Sequence, residues 1–248
     1  MTFCIGIRVD EGVVALADTR IVRGSEKAVK SKLSTIDVGG HTAVVMTSGL
    51  RSVRDKVVHR LTADVSHSPC RRMYQLATAF GHRLREVEEE DGESLKRSGL
   101  SFDSHAIIGG QLADDEHPSM FHVYPEGNWV EVTADEPSIV IGRSSHGKPI
   151  LDRLLSSSSS VRDAVAVALL AFDATRTSAT DVDFPIEIAV FDRSAWGRGF
   201  SLRRFEEVDV VETLDEWHRR LRVALTDLPA GWMNQLNLPY DTEIRPSP

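Results

Sequence analysis

Cysteine is scarce in this chain: Cys4 and Cys70 are the only two among 248 residues. Two is too few for a disulfide framework and the wrong pattern for a zinc site. A reducing cytoplasm is the simplest setting. Long apolar runs are missing as well. No stretch approaches the ~18 consecutive apolar residues of a membrane-spanning helix. The amino end, Met-Thr-Phe-Cys-Ile-Gly, has neither the basic start nor the apolar middle of a secretory signal. An excess of positive charge is also lacking, since 29 Lys and Arg face 37 Asp and Glu, for a formal net charge of -8. Such a chain carries no electrostatic footprint for nucleic acid or an anionic membrane. Its nine histidines are scattered, with no His-Glu-x-x-His spacing, and there is no Gly-x-Ser-x-Gly elbow. No metal and no cofactor are called for.

What is present is ordinary globular material, 41% hydrophobic and 27% charged, enough for a sizeable core. Residues 3 to 9 alternate, with Phe3, Ile5, Ile7 and Val9 on one face and Cys4, Gly6 and Arg8 on the other. That is a strand signal. Asp10-Glu11-Gly12 is a turn, and the run Val13 to Ala17 predicts the second strand of a hairpin. A further strand pair is expected at 33–38 and 42–47. The period then turns helical over 51–64 and about 71–90, the second helix marked by Met73, Leu76, Ala77, Phe80, Leu84 and Val87. The acidic run Glu88 to Asp91 is read as its solvated end.

Strands are expected again near 103–112, 119–124, 128–133 and 138–142, then helices at 147–156 and 161–176. The five serines 156–160 between those helices read as a loop ending in a Ser N-cap. Strands at 186–192 and 199–206 and a helix at 212–226 follow. Trp217, at helical spacing with Leu214 and Leu221, is expected in the core. Helices thus arrive in pairs rather than singly between strands. That argues against a doubly wound parallel sheet. It favours an α+β, four-layer αββα sandwich of two antiparallel sheets with a helix pair on each outer side. Residues 1–228 are expected to form one domain, and 229–248 an irregular tail draped over the body or a neighbour.

The chemistry points to the amino end. A threonine hydroxyl is a weak nucleophile that needs a base. At the first position of a chain it carries its own, the α-amine, whose free pKa of about 7.7–8.0 suits a general base at neutral pH. Thr2 gains that amine if Met1 is removed. With a three-residue loop and Gly12 in the left-handed position, Val9 faces Val13, and Thr2 and Asp18 become diagonal neighbours on one face. A two-residue loop would put Asp18 on the other face. Two readings of Asp18 stand here: it holds a lysine beside the threonine, or it pairs with Arg20. Lys30 and Lys32 both precede the strand at 33–38. Lys32 is preferred because it borders the apolar run, where it would stabilise an alkoxide. Gly49 ends a strand before a helix, and its backbone N–H is a candidate oxyanion donor.

Thr2, Ala-Asp-Thr-Arg at 17–20, a lysine before a strand and Ser-Gly at 48–49 resemble a proteasome β-type subunit. Other segments resemble one bacterial branch of that family, the ancestral β-subunit relatives known as Anbu. They are Ile-Ile-Gly-Gly-Gln at 107–111, Tyr-Pro-Glu-Gly-Asn-Trp at 124–129, Ile-Gly-Arg-Ser-Ser-His-Gly-Lys-Pro-Ile-Leu-Asp-Arg at 141–153, Phe-Asp-Ala-Thr-Arg at 172–176 and Phe-Pro-Ile-Glu-Ile at 184–188. The resemblance implies an N-terminal-nucleophile hydrolase fold, self-assembly into a ring or helical turn, and cleavage of a peptide or amide. It implies Thr2 as nucleophile, Asp18 as lysine partner, Lys32 as alkoxide stabiliser and Gly49 as oxyanion donor. Asp173 matches the family's amine-orienting Asp. Ser144 takes the place of the amine-side serine, with Arg143 competing for it. The other reading is a scaffold that assembles on the same surfaces and cleaves little. Gly142 to Lys148 fits the start of a phosphate-binding loop, but Pro149 stands where the magnesium-binding hydroxyl is needed.

Overall fold

A computed structural model describes residues 2–23, 26–195 and 199–236. It divides into a large unit ending at Asp209 and a second beginning at Val210.

In the large unit the chain runs β1 (Phe3–Val9), β2 (Gly12–Asp18), β3 (Arg20–Arg23), β4 (Glu26–Val29), β5 (Leu33–Val38), β6 (His41–Thr47), α1 (Arg51–His67) and α2 (Met73–Arg97). It continues through β7 (Ala106–Gly110), β8 (Ser119–Val123), β9 (Trp129–Glu131), β10 (Ser138–Gly142), α3 (Lys148–Leu154), α4 (Val161–Arg176), β11 (Ile186–Asp192) and β12 (Ser201–Phe205). A last helix, α5 (Glu207–Thr226), starts at the end of this unit and forms most of the second.

Two five-stranded sheets result, ordered β10-β1-β2-β11-β12 and β5-β6-β7-β8-β9, with β3-β4 as a separate hairpin. Every pairing is antiparallel. Cys4, Val13, Ala15 and Ala17 of the first sheet meet Val44, Met46, Ile107 and Met120 of the second. The outer face of the second sheet is closed by α1 and α2, whose stripe from Met73 to Val87 is buried throughout. On the outer face of the first, the Phe3 ring lies 6.2 Å from that of Phe172 on α4. β2 is buried at every position. A strand covered on both faces has no reason to alternate.

The fold is therefore the four-layer sandwich expected from paired helices, with local differences. α2 runs seven residues beyond the expected end at 90. The acidic run Glu88 to Asp91 is largely solvated as expected but is not the helix end, and Glu90 and Asp91 pair with Arg60 and Lys56 of α1 at 2.7 and 2.6 Å. α5 begins five residues before the expected 212. The serine loop ends as expected, Ser160 Oγ accepting from Asp163 N at 3.0 Å.

The first hairpin departs from expectation in register. Val9 pairs with Gly12, not Val13, so the loop is the two residues Asp10-Glu11. Phe3 then sits at the level of Asp18, and Thr2 and Asp18 fall on opposite faces. Gly12 is no turn residue. A Cβ there would stand 2.1 Å from the Phe191 carbonyl oxygen, so glycine is required by the close approach of β11.

In the second unit Leu214 is buried, while Trp217 is only half-buried and Leu221 is exposed. The expected core position of Trp217 is thus only partly met. Residues 231–236 form a 3₁₀ helix with Trp232 exposed, and residues 237–248 lie outside the described residues. Among the described residues no helix is long and apolar enough to cross a membrane.

Candidate active site

The amino end is fastened by its two neighbouring strands. Arg143 N, just past β10, donates to the Thr2 carbonyl oxygen at 2.9 Å. Phe3 N donates to Asp18 Oδ1 at 2.7 Å. Gly142 makes the first contact possible: its φ is +88°, and a Cβ there would fall 1.9 Å from the Thr2 oxygen. Gly142→Ala is therefore expected to dislodge Thr2, lowering thermal stability by roughly 1–3 kcal/mol. A melting curve and an amide-exchange rate at Phe3 check this.

Asp18 ends β2 and is fully buried. A buried carboxylate is costly unless paired and hydrogen-bonded. Lys32 Nζ supplies the pairing, 2.7 Å from each Asp18 oxygen, and donates a third bond to the Arg20 carbonyl at 2.8 Å. Arg20 itself pairs with Asp183, which decides between the two readings of Asp18. Burial pushes the Asp18 carboxyl above its ordinary value, against the opposing pull of Lys32 and of the Phe3 N–H. The link between Asp18 and the amino end thus runs through a backbone amide and a lysine rather than a shared strand face.

Lys32 has a rigid support. Lys30 N donates to Thr19 O at 2.8 Å, Arg54 Nη1 donates to Ser31 O at 2.5 Å, and Ser31 Oγ donates to Glu187 at 2.6 Å. Side chains from β11 and α1 thereby fix the segment that carries the ammonium. Lys30, by contrast, is exposed.

Thr2, Lys32, Thr47, Ser48 and Gly49 line a cavity of about 730 Å³. Gly49 lies between β6 and α1 with φ +97°. Its N–H takes no acceptor among the described residues. Asp18 stands behind Lys32, and Ser144 and Asp173 do not line the cavity. Ser144 is half-buried in the turn before α3, its carbonyl accepting from Lys148 N at 3.0 Å. Asp173 is buried on α4 and accepts from Arg176 Nε at 2.9 Å.

Three parts of the site escaped the sequence reading. Gly142 was visible as a strand end and as part of a family segment and a phosphate-loop pattern, not as a contact of Thr2, and the Arg54 clamp on Ser31 joins residues far apart in the chain. The third is a pair of histidines beside the cavity, His105 Nδ1 and His122 Nε2 being 3.1 Å apart. Burial, with His105 adding to it, pushes the His122 imidazole down to about 4, so it is neutral at pH 7. Burial also pushes the Cys4 thiol up, which makes it a poor nucleophile. No three His, Cys, Asp or Glu among the described residues are grouped to hold a metal.

The family model described as "Proteasome subunit" matches residues 2–191, which takes in Thr2, Asp18, Lys32 and Gly49. The chain belongs to the proteasome subunit family. Solved structures place it beside the Anbu proteins of that family. An Anbu (Gly-1) mutant from Hyphomicrobium sp. strain MC1 is 29% identical with a TM-score of 0.83, the match covering 92% of this chain and 98% of that one. Anbu (ancestral beta-subunit) from Yersinia bercovieri is 28% identical with a TM-score of 0.80, covering 92% and 97%. The helical assembly of the Anbu complex from Pseudomonas aeruginosa is 27% identical with a TM-score of 0.82, covering 92% and 97%. No curated protein matches.

Proposed function

We propose that this proteasome-family protein is an N-terminal threonine hydrolase that cleaves a peptide or amide bond through an acyl ester on Thr2. The observation that carries the reading is the Lys32 ammonium. It is held by both Asp18 oxygens and lines the same cavity as Thr2 and Gly49. Met1 lies outside the described residues, and its removal is part of the proposal.

In this mechanism the free α-amine takes the Thr2 hydroxyl proton as the oxygen attacks the substrate carbonyl. Lys32 favours the alkoxide electrostatically, and Asp18 holds Lys32 in place. The Gly49 N–H donates to the oxyanion that develops. The amine hands its proton to the leaving amine, then activates the water that hydrolyses the ester. Ser144 and Asp173 enter as the amine-side supports the family resemblance implies. We further propose self-association, supported by the relative whose structure is a helical assembly.

The test is mass spectrometry on the native protein. The intact mass is expected to lack Met1, and a peptide β-lactone is expected to add its mass to Thr2 alone. Retained Met1, or acylation elsewhere with Thr2 untouched, would overturn the hydrolase and favour a scaffold that assembles without cleaving.

A further inference from the structure

The charges around the cavity carry a statement about substrate. Four cations line it, Lys30, Lys32, Arg51 and Arg54, and among its described lining residues Asp103 is the one carboxylate. Lys32 is matched by Asp18. Arg51 and Arg54 share a single carboxylate, Asp55, at 3.1 and 2.7 Å. Asp103 is turned to His105, 3.2 Å from its Nε2. Lys30 has no carboxylate partner among the described residues. The lining side chains alone therefore carry four positive charges against one negative, a surplus of three at the cavity wall, with Asp18, Asp55 and Glu187 as the carboxylates behind it. Glu187 sits behind this wall on the Ser31 hydroxyl and does not line the cavity.

That surplus belongs to a chain whose formal net charge is -8, so it is local. Its position is also unfavourable for the protein alone. α1 starts at Arg51 with no side-chain cap at Leu50 and no acidic residue in its first turn. A helix start is the positive end of the helix dipole, and two arginines there add like charge. An anion entering the cavity relieves both. The two cations most accessible to it are Lys30, which is exposed, and Arg51, whose side chain is 51% exposed and whose carboxylate, Asp55, is shared with Arg54. Arg54 is only 18% exposed and is committed to Asp55 and the Ser31 carbonyl.

We propose that the cavity accepts a carboxylate-bearing side chain on the acyl side of the scissile bond, bound by Lys30 and Arg51. This rests on the threonine-hydrolase reading, and the two are separable by experiment. Protein shown by intact mass to begin at Thr2 is given two fluorogenic peptide amides that differ only in Glu or Gln at the acyl residue. At low salt, kcat/KM for Glu is expected to exceed that for Gln by about 10-fold, the gap shrinking as salt screens it. Lys30→Glu combined with Arg51→Glu is expected to reverse the order, with the Gln rate changed less than the Glu rate. Equal rates for the two peptides in the unaltered protein would overturn the acidic preference and leave the hydrolase standing. If neither is cleaved, the hydrolase fails and the preference is read by binding. Peptides ending in Glu-amide or Gln-amide are titrated into the Thr2→Ala protein by calorimetry. About 10-fold tighter binding of Glu-amide supports the proposal, and equal binding overturns it.

Discussion

The Thr2→Ala protein is expected to fold, to assemble as the parent does and to lose at least about 1,000-fold in kcat/KM, because the other hydroxyls lining the cavity, Ser31, Thr47, Ser48 and Ser101, carry no α-amine as base. Cys4 is the nearest alternative by sequence, but it is buried between the sheets with its thiol pushed up by burial. Thr2→Ser keeps a hydroxyl at the same place and is expected to keep a measurable rate. Acetylating the α-amine removes the base while leaving the hydroxyl, so it is expected to abolish turnover as fully as Thr2→Ala. The amine works as a base only when neutral. The rate should therefore rise with pH through its own pKa, about 7.7–8.0 for a free chain terminus, and flatten above it. Full activity in Thr2→Ala, with a responsive amide substrate and an unchanged melting curve, would end the mechanism.

The layers of this fold were legible because periodicity is local. Alternation in 3–9 and the helical stripe from Met73 to Val87 each lie within one element, and their order forced paired helices against antiparallel sheets. The register of the first hairpin was not legible. Gly12 looked like a left-handed turn residue, yet what demands it is the Phe191 carbonyl, brought close only when β11 docks on β2. The hairpin β3-β4 was missed for a related reason. Its two four-residue strands pair only with each other, and charged residues interrupt their apolar positions. The end of α2 was misjudged because a solvated run of acids reads as a terminus, whereas Arg60 and Lys56 of α1 lie across from it and the helix continues to Arg97. In the site, Lys32 was chosen over Lys30 by its apolar neighbours, a local cue. The Arg54 clamp and the role of Gly142 depend on contacts between distant segments, which spacing does not reveal.

Lys32→Met is expected to cost the protein about 3–5 kcal/mol of stability at pH 7, more than a typical single substitution. The methionine fills the space but leaves the Asp18 carboxylate buried, with the Phe3 N–H still bonded to it but no cation beside it. Burial already holds this carboxyl above its ordinary value, and Lys32 is the chief opposing influence. Without Lys32 the folded-state pKa rises further, so the folded protein binds a proton that the unfolded chain at the same pH does not. Stability then falls as pH rises through that raised pKa and recovers as pH falls toward the ordinary carboxylate range. The Lys32→Met penalty is therefore expected to be largest at neutral pH and to shrink in mild acid, which urea melts across that interval measure. Adding Asp18→Asn makes both partners neutral and is expected to restore most of the lost stability. It should restore no turnover, since no cation remains to favour the Thr2 alkoxide. That split separates the chemistry of Lys32 from its part in holding the strand ends together. If activity returned with stability in the double variant, Lys32 would be a structural residue, and the proposed mechanism would lose its electrostatic partner.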